Sequence, residues 1–419
     1  MTAGDDSHFM NTGASGGDVP VHFRYLKKNT YSLSSLLPVL PEADLVQNVA
    51  DGVMIYSFFT NQKDEIFREA AAAKKRFALS GRRSFFIAGG PHPSGAPEET
   101  ADIFDAVVVG EGEETLPELV SLVRSALAAG VFPSAEKLSG IKGIVFRSET
   151  GEYVRTPKRD LVDLDRYPCF LPDNMWRPLE ISRGCPFGCK YCQTPRLFGR
   201  KMRHRSVSEI VRFAKYYDDL RFITSNAFAY GSDGRVAAPE KVEALLSALS
   251  KLEPVAADKK RLFFGTFPSE VRPDFVSGPL LDILIKYADN RTLSIGAQSG
   301  SDRILKEIAR GHGTNAVLNA LDLCFDRGIV PIVDFIVGFP AESAEDQEKT
   351  LSLINDICRS GGEVRAHYLT PLPGTPYADV TPAPVSADIS GKLGRLALGG
   401  KLKGVWENMS ASKDENGSG

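Results

Sequence analysis

Short apolar runs alternate with stretches of helical spacing along the first third of the chain. Between Val21 and Ala128, the runs VHFRY, GVMIYSFF, SFFIAGG and DAVVVG alternate with segments such as DEIFREAAAAKKRF and LPELVSLVRSAL. Strand–helix alternation of this kind predicts a parallel sheet covered by helices. Residues 20–138 are therefore predicted to form a small doubly wound, Rossmann-like α/β domain, with ligands at the carboxyl ends of its strands.

A second strand–helix series occupies residues 178–380. Its six apolar runs are RPLEISRG, RFITSNAF, RLFFGTFP, TLSIGAQ, VPIVDFIVGFP and VRAHYLTPL, with helical segments such as PEKVEALLSALSKL between them. Six strands with intervening helices predict a partial (β/α)6 TIM-type barrel, whose active site lies at the carboxyl ends of the strands. Residues 139–177 are predicted to form a connector with a hairpin that turns at Thr150 and Gly151.

The two ends of the chain lack this alternation. Residues 1–19 are small, polar and glycine-rich, which predicts a disordered N-terminus. Residues 381–419 are poorly patterned and are predicted to form a C-terminal extension and a frayed tail. The sequence has no run of 18 apolar residues and no secretory segment, so we expect a cytoplasmic protein without a membrane partner.

Composition narrows the possible functions only slightly. The 419 residues are 42% hydrophobic and 25% charged, as in a soluble protein of two or three domains. The net charge of −3 argues against a general polyanion binder. The basic run RLFGRKMRHR, residues 196–205, suits either a phosphate-bearing substrate or a lid whose charges neutralise a cofactor. We expect no nucleic-acid partner.

Three cysteines give the strongest chemical signal. Cys185, Cys189 and Cys192 are spaced C-x3-C-x2-C in ISRGCPFGCKYCQTP, and the whole chain has only six cysteines. A cubane iron–sulfur cluster normally takes four thiolates, so three leave one iron open to a substrate or cofactor. A structural zinc site is the alternative, with His204 as the nearest fourth ligand, although the spacing does not match the common zinc sites.

The cysteine motif also carries a family resemblance. With an aromatic residue, Tyr191, just before the last cysteine, it resembles the signature of the radical S-adenosylmethionine (SAM) enzymes, and the resemblance runs from about Pro178 to Tyr377. It implies a [4Fe–4S] cluster on the three cysteines, with Tyr191 among the SAM contacts. In that family SAM chelates the fourth iron, and one electron from the cluster cleaves it to a 5′-deoxyadenosyl radical.

The resemblance implies SAM contacts at two strand ends. Thr224, Ser225 and Asn226 stand where the family often has a Gly-Gly-Glu stretch that binds the SAM amino group. Gln298 and Ser299, in SIGAQSGSDRILKEIARGH, lie in a segment similar to the family's fifth-strand region, and they are expected to hold the ribose or methionine part of SAM. An ordinary strand end is the alternative for the first group.

Further candidates follow in the same half of the chain. Arg310 is a candidate for the SAM carboxylate, with a solvated helix-end arginine as the alternative. Gly338, in VDFIVGFPAES, lies in a segment that resembles the sixth-strand motif and would let backbone approach the adenine. His367 and Tyr368, near the end of the last strand, are speculative proton or hydrogen donors to a substrate.

The N-terminal domain has two glycine turns, GGPHPSG and VVVGEGEET, that resemble turns of the cobalamin-binding domains fused in front of radical SAM barrels. The implied cobalamin contacts are Gly89, Gly90, His92, Gly110, Glu111 and Gly112. One departure matters: the family often has Asp-x-His-x-x-Gly after the first strand, whereas this chain has RYLKKNTYS. Cobalamin is then expected to bind without that histidine, and a domain that has lost cobalamin is the alternative. For His92 the alternative is a structural role.

Three classes of function are compatible with these features. The leading one is a cobalamin-assisted radical SAM enzyme, with methyl transfer to an unactivated carbon as the best expectation. A methylthiotransferase acting on tRNA or protein is the second. That family carries a second cluster on three N-terminal cysteines, and here no cysteine precedes Cys169. The third is a non-catalytic iron–sulfur or zinc protein. We also expect an electron donor such as ferredoxin or flavodoxin, while the substrate is left open.

Overall fold

A computed structural model describes residues 19–174 and 178–406, and the chain divides into two compact units, Met1–Trp176 and Arg177–Gly419. The predicted disordered N-terminus, apart from residue 19, and the predicted frayed tail from residue 407 lie outside the described residues. None of the described helices is long and apolar enough to cross a membrane.

A seven-stranded sheet forms the first unit, in the order β2-β1-β3-β4-β5-β6-β7. Its strands are β1 Val21–Arg24, β2 Asp44–Val46, β3 Gly52–Ser57, β4 Ser84–Gly89, β5 Ala106–Val108, β6 Ile144–Arg147 and β7 Tyr153–Arg155. Its helices are α1 Thr30–Leu36, α2 Lys63–Leu79, α3 Pro91–Gly95, α4 Pro97–Ala101, α5 Thr115–Ala128 and α6 Ala135–Ser139. The first five strands in this order are parallel, so the predicted doubly wound α/β fold is confirmed.

Both faces of this sheet are buried, which explains its continuous apolar strands. Along β3, Val53 and Ile55 pack into one core, whereas Met54 and Tyr56 pack into another. Successive side chains of a strand point to opposite faces, so these two cores lie on the two sides of the sheet. Helix α5 contributes five buried residues to the first core and α2 four to the second, at helical spacing. Each helix therefore covers one face.

The hairpin that the sequence placed in a connector instead extends this sheet. Strand β6 pairs antiparallel with β5, for example Val145 with Val107, and β7 returns along β6 after the turn. Residues 144–146 are fully buried. The edge of β5 would otherwise present unpaired backbone groups, and the hairpin satisfies them.

The second unit is the predicted partial barrel. Its strands are β8 Leu179–Glu180, β9 Ser182–Arg183, β10 Arg203–His204, β11 Asp219–Leu220, β12 Phe222–Ile223, β13 Arg261–Leu262, β14 Thr292–Gln298, β15 Val330–Val337, β16 Glu363–Tyr368 and β17 Leu402–Val405. Its helices are α7 Thr194–Leu197, α8 Val207–Ala214, α9 Pro239–Leu249, α10 Gly278–Tyr287, α11 Asp302–Glu307, α12 Thr314–Phe325, α13 Ala344–Arg359 and α14 Ala387–Leu398. Strand β12 pairs parallel with β8, β11 with β13, and β14 to β17 form one parallel sheet.

The C-terminal extension is more ordered than its pattern suggested. Helix α14 and strand β17 both lie within it, and β17 pairs parallel with β16. Ile389, Leu393 and Leu402 are buried in the same core as Val364 of β16. Two glycines inside α14, Gly391 and Gly394, weaken the helical signal in the sequence, so packing on β16 rather than local propensity stabilises this segment.

Candidate active site

A cavity of about 480 Å³ lies within the second unit and is lined by all three cysteines of the C-x3-C-x2-C motif. Residues at the ends of several barrel strands complete its wall, as predicted for a barrel of this type. The lining residues that matter below are Tyr191, Thr224, Ser225, Phe267, Glu270, Arg272, Gln298, Arg310, Asp334, Arg365, His367 and Tyr368.

The cysteine loop is fastened to its surroundings by backbone contacts. Gly184 has φ +86°, and a Cβ there would lie 2.3 Å from the carbonyl oxygen of Lys201, so only glycine fits. The Cys185 N–H donates to the carbonyl of Gly199 at 3.2 Å, and the Lys190 N–H donates to that of Ile308 at 3.0 Å. These contacts hold the loop against the cavity.

The three thiols suit an iron–sulfur cluster better than a preformed metal site. Within residues 19–174 and 178–406, no three His, Cys, Asp or Glu side chains are already gathered closely enough to hold a metal ion. Burial raises the pKa of the Cys185 and Cys192 thiols. Three soft sulfur donors facing one cavity match the ligand set of an iron–sulfur cluster with one open iron.

Arg310 provides positive charge beside these sulfurs. Its side chain is buried, its Nη1 lies 3.9 Å from Cys189 Sγ, and its Nη2 donates to the carbonyl of Gly296 at 2.7 Å. Its buried Nε has no hydrogen-bond partner among the described residues. This geometry excludes the solvated helix-end alternative and leaves a buried donor next to the place of the cluster.

His204, the candidate fourth zinc ligand, is placed elsewhere. Its Nε2 lies 2.7 Å from the carbonyl oxygen of Ser232, and its ring packs edge-on against Tyr230. It is not among the residues that line the cavity. The zinc alternative therefore lacks the fourth ligand that the sequence offered.

The strand-end triplet after β12 divides between the cavity and the protein interior. Thr224 and Ser225 line the cavity, and Ser225 Oγ donates to the carbonyl of Gly184 at 2.7 Å. Asn226 is buried away from it, and its Oδ1 accepts from the backbone N–H of Arg272 at 3.3 Å. Asn226 therefore fixes the neighbouring segment at Arg272, whereas Thr224 and Ser225 line the cofactor space.

Gln298 and Ser299 take different roles although they are adjacent. Gln298 lines the cavity with φ +76°, at an irregularity in the pairing of β14 with β15. Ser299 is fully buried, its hydroxyl lies 3.3 Å from Thr350 Oγ1, and it accepts from the Ser301 N–H at 3.1 Å. The structure thus assigns Ser299 to the start of α11 rather than to SAM.

The segments resembling fifth- and sixth-strand motifs lie on β14 and β15, the fourth and fifth of the six predicted barrel strands. The adenine contact expected for Gly338 followed from the resemblance of its segment to a sixth-strand motif, whereas β15 is the fifth predicted strand. Gly338 is not part of the cavity wall, and a Cβ there would lie 2.6 Å from the ring of Tyr368. Its φ of +87° and this contact explain the glycine without a ligand.

Shortening Gln298 tests its predicted contact with SAM. Asn tolerates a left-handed backbone, so Gln298→Asn keeps the fold while withdrawing the amide. We expect the Kd for SAM to rise about tenfold, the cost of one hydrogen bond to a charged or polar ligand. The measurement is equilibrium dialysis of the cluster-loaded protein, with the cluster absorbance unchanged. Ser299→Ala is the control, and an equal loss in that variant would contradict the assignment.

The sequence missed a group of charged side chains on the same wall. Arg272 is buried, lies 3.5 Å from the ring centroid of Phe187 in the cysteine loop, and donates to the carbonyl of Arg310 at 3.0 Å. Asp334 and Arg365 form an ion pair between neighbouring strands. Charged residues at alternate positions of otherwise apolar strands were the available signal, since they must share an inward face.

His367 and Tyr368 both line the cavity. Burial, and then the charge of Arg365, lower the pKa of His367, which keeps its imidazole neutral near pH 7. The Tyr368 hydroxyl donates to the carbonyl of Ala383 at 3.0 Å, and burial raises its pKa. His367 is thus the better placed of the two to exchange a proton with a bound molecule.

Much of the basic run at residues 196–205 is structural. Arg205 is 1% exposed and pairs with Glu180 at 3.5 Å. Arg203 donates to the carbonyl of Phe198 at 3.2 Å, and Arg200 to that of Pro186 at 3.3 Å. These contacts tie the run to the strands and the cysteine loop.

In the first unit, the residues expected to contact cobalamin mostly serve packing. A Cβ at Gly90, with φ +96°, would lie 2.7 Å from Ser57 Oγ. His92 is 2% exposed, stacks on Phe58 and has ring nitrogens 3.3 Å from Thr60 Oγ1 and 3.5 Å from a Glu99 oxygen. This favours its structural alternative.

The second glycine turn, after β5, is fixed in a similar way. The Gly110 N–H donates to Ser94 Oγ at 3.0 Å, and Glu111 Oε2 accepts from the Val162 N–H at 2.9 Å. A Cβ at Gly112 would lie 3.0 Å from Leu36, whereas one at Gly89 would meet only ordinary contacts. The turns therefore offer backbone rather than side-chain ligands.

Strand order identifies the ligand edge of this sheet. The order β2-β1-β3-β4-β5 reverses direction between β1 and β3, and sheets of this order bind ligands at the carboxyl ends of those two strands. Asn29 lies where the strand order reverses. Its Nδ2 donates to the carbonyls of Arg24 and Ser57, at the ends of β1 and β3. RYLKKNTYS thus lies at the predicted edge.

Comparison with known proteins agrees with this geometry. The model of the radical SAM superfamily matches residues 179–354. A tRNA-2-methylthio-N(6)-dimethylallyladenosine synthase of a Sulfurihydrogenibium species is 30% identical over 242 residues, covering 56% of this chain and 52% of that protein. An uncharacterized methyltransferase of Pyrococcus horikoshii is 27% identical over 311 residues, covering 70% and 61%. The chain thus spans less than two thirds of either relative.

Solved structures of similar fold cover both units. The cobalamin-dependent SAM radical enzyme OxsB, with aqua-cobalamin and SAM bound, has a TM-score of 0.64 at 17% identity, covering 81% of this chain and 52% of that one. The radical SAM methyltransferase TsrM from Kitasatospora setae, with cobalamin and a [4Fe–4S] cluster bound, has a TM-score of 0.63 at 15% identity, covering 86% and 73%. Residues 179–354, which include the cysteine triad, therefore match the radical SAM superfamily, and the chain shares the fold of these two enzymes.

Proposed function

We propose that this protein is a cobalamin-assisted radical SAM enzyme that transfers a methyl group to an unactivated carbon. The observation that carries the proposal is the common cavity of Cys185, Cys189 and Cys192 with Gln298 and Arg310, inside a matched radical SAM domain. The match of residues 179–354 to the superfamily implies a [4Fe–4S] cluster and SAM. The methyl transfer and the cobalamin belong to the proposal.

The residues of the second unit have distinct tasks in this proposal. The three cysteines hold the cluster, which when bound supplies one electron for cleavage of the SAM sulfonium. Arg310 places a buried guanidinium near Cys189, where it can pair with the SAM carboxylate. Gln298, Thr224 and Ser225 offer polar groups to the rest of SAM.

We assign cobalamin to the first unit because of the fold of that unit. OxsB and TsrM, whose fold this chain shares, both hold cobalamin in those structures. The carboxyl edge at β1 and β3 is where a sheet of this order binds its ligand. Because His92 is enclosed, we propose that these turns hold cobalamin through backbone groups and place no histidine on cobalt, while bound cobalamin supplies a methyl carrier.

Anaerobic reconstitution tests the proposal directly. The full chain is loaded with iron, sulfide and hydroxocobalamin, desalted, and measured by absorbance. We expect about one cobalamin and one cluster per chain, together with SAM cleavage under reduction. A cluster without retained cobalamin would overturn the cobalamin-assisted reading and leave a radical SAM enzyme whose first unit has another ligand.

Methylthiotransfer is the second candidate, favoured by the 30% identity to the tRNA-modifying synthase. Two observations on this chain oppose it. Residues 1–168 contain no cysteine for a second cluster, and the first unit has the doubly wound sheet described above. Iron content separates the candidates: about four iron atoms per chain fits a single cluster, and about eight fits two.

A further inference from the structure

We propose that the end of the cavity formed by β15, β16 and Phe267 binds a planar aromatic substrate through a carboxylate. The inference rests on the proposed function, because it names the substrate class of the same cavity. Phe267, Asp334 and Arg365 carry it, and none of them is needed to hold the cluster.

Strand register places the polar groups of this subsite. Asp334 lies opposite Arg365, and Ile336 lies opposite His367, in the parallel pairing of β15 with β16. The alternate residues of both strands, such as Val333 and Val364, belong to the core on the other face. Asp334, Arg365 and His367 therefore share the inward face and the cavity that holds the three cysteines.

Asp334 holds the guanidinium of Arg365 in a fixed orientation. Arg365 Nη2 donates to Asp334 Oδ2 at 2.6 Å, and Nε lies 2.6 Å from Oδ1. The two side chains are 17% and 7% exposed, so the pair is largely shielded from water. Arg365 Nη1 has no hydrogen-bond partner among the described residues, which leaves one edge of a preoriented fork for a second planar anion.

Arg365 is the group that would meet a substrate anion at this end of the cavity. Burial, and then the charge of Glu270, raise the pKa of Asp334, which weakens its compensation of Arg365. Glu270 and Arg310 line the same cavity. His367 next to Arg365 is neutral. A substrate carboxylate would therefore meet the guanidinium of Arg365, which Asp334 compensates only in part.

An exposed aromatic ring provides the second element. Phe267 lines the cavity and is 64% exposed, which is unusual for so large an apolar side chain. Its ring centroid lies 5.1 Å from Arg365 Cζ. A phenyl face beside a fixed guanidinium, with Ile336 and Leu369 on the same cavity wall, suits a flat aromatic ring, because stacked rings gain energy beyond that of apolar burial.

Three matched probes distinguish the contribution of the aromatic ring to binding from that of the carboxylate. Fluorescence and calorimetric titrations of the cluster-loaded protein with SAM present use 2-naphthoate, 2-naphthamide and decahydro-2-naphthoate. We expect 2-naphthoate to bind about tenfold more tightly than either other probe, from the charged hydrogen bonds and the ring stacking. Phe267→Leu should remove only the preference for the aromatic ring.

A paired substitution guards against misfolding. Because Arg365→Gln alone would leave Asp334 buried and unpaired, it is combined with Asp334→Asn, and this double variant should lose only the preference for the carboxylate. Arg359→Gln, at an arginine whose side chain is 76% exposed, is the control and should bind all probes as the unmodified protein does.

The outcomes distinguish this inference from the proposed function. Equal affinity of 2-naphthoate and 2-naphthamide would overturn the carboxylate assignment, and equal affinity of 2-naphthoate and its decahydro form would overturn the aromatic one. SAM cleavage is measured on the same samples. Cleavage without probe preference overturns the subsite alone, whereas the expected preferences without cleavage support the subsite and overturn the proposed function.

Discussion

Replacing Cys189 by alanine is expected to remove the iron–sulfur cluster and abolish SAM cleavage. Cys189 is 5% exposed and faces both the cavity and the guanidinium of Arg310. With two thiolates left, a second iron loses its protein ligand, and a cubane held at two corners is not retained. Bound iron after reconstitution and desalting should fall at least about tenfold, with cleavage at background.

Cys324→Ala is the matched control for this prediction. Cys324 is fully buried in α12 and does not line the cavity. Its substitution should cost about 1 kcal/mol of packing and leave cluster content unchanged. Retained iron with undiminished SAM cleavage in the Cys189 variant would contradict the assigned cluster site.

Replacing Gly184 by alanine is expected to disable the cluster site without removing a ligand. The added Cβ would lie 2.3 Å from the backbone oxygen of Lys201, and the residue holds φ +86°. The left-handed backbone costs an alanine about 1 kcal/mol, and the clash with backbone must be relieved by moving the loop. Cys185 is the next residue, so we expect iron content to fall about tenfold or more.

Gly328→Ala separates the clash from the backbone strain. Gly328 lies in the same unit with φ +68°, and a Cβ there would meet nothing within 4 Å. This variant should lose about 1 kcal/mol of stability, visible as a small fall in Tm, and bind the cluster normally. Equal iron content in the Gly184 and Gly328 variants would show that the cysteine loop does not depend on its contact with Lys201.

The sequence predicted the architecture well where one signal sufficed. Strand–helix alternation indicated both α/β units. In the first unit β3 and β4 are buried on both faces and therefore read as continuous apolar runs. The hairpin was recognised as a hairpin but assigned to a connector. Its place at the edge of β5 depends on which strand lacks a partner, and that is a property of the assembled sheet.

In the candidate site, too, local sequence predicted some features and the assembled structure decided others. Local spacing identified Cys185, Cys189 and Cys192, whose function requires only that one short loop carry three sulfurs. The sequence assigned one role to two adjacent residues whose side chains point in opposite directions. Gln298 reaches the cavity, whereas Ser299 turns to Thr350, because consecutive residues at a strand end face opposite sides.

What the sequence determined by itself was therefore the fold class, the cysteine loop and the kind of cofactor that it serves. Only the tertiary structure decided which distant residues complete the cavity. Asp334 and Arg365 come from neighbouring strands and Arg272 from the segment between β13 and α10, so their meeting depends on strand register and on the closure of the barrel. Register follows from long-range pairing and burial, so no local segment of the chain encodes it.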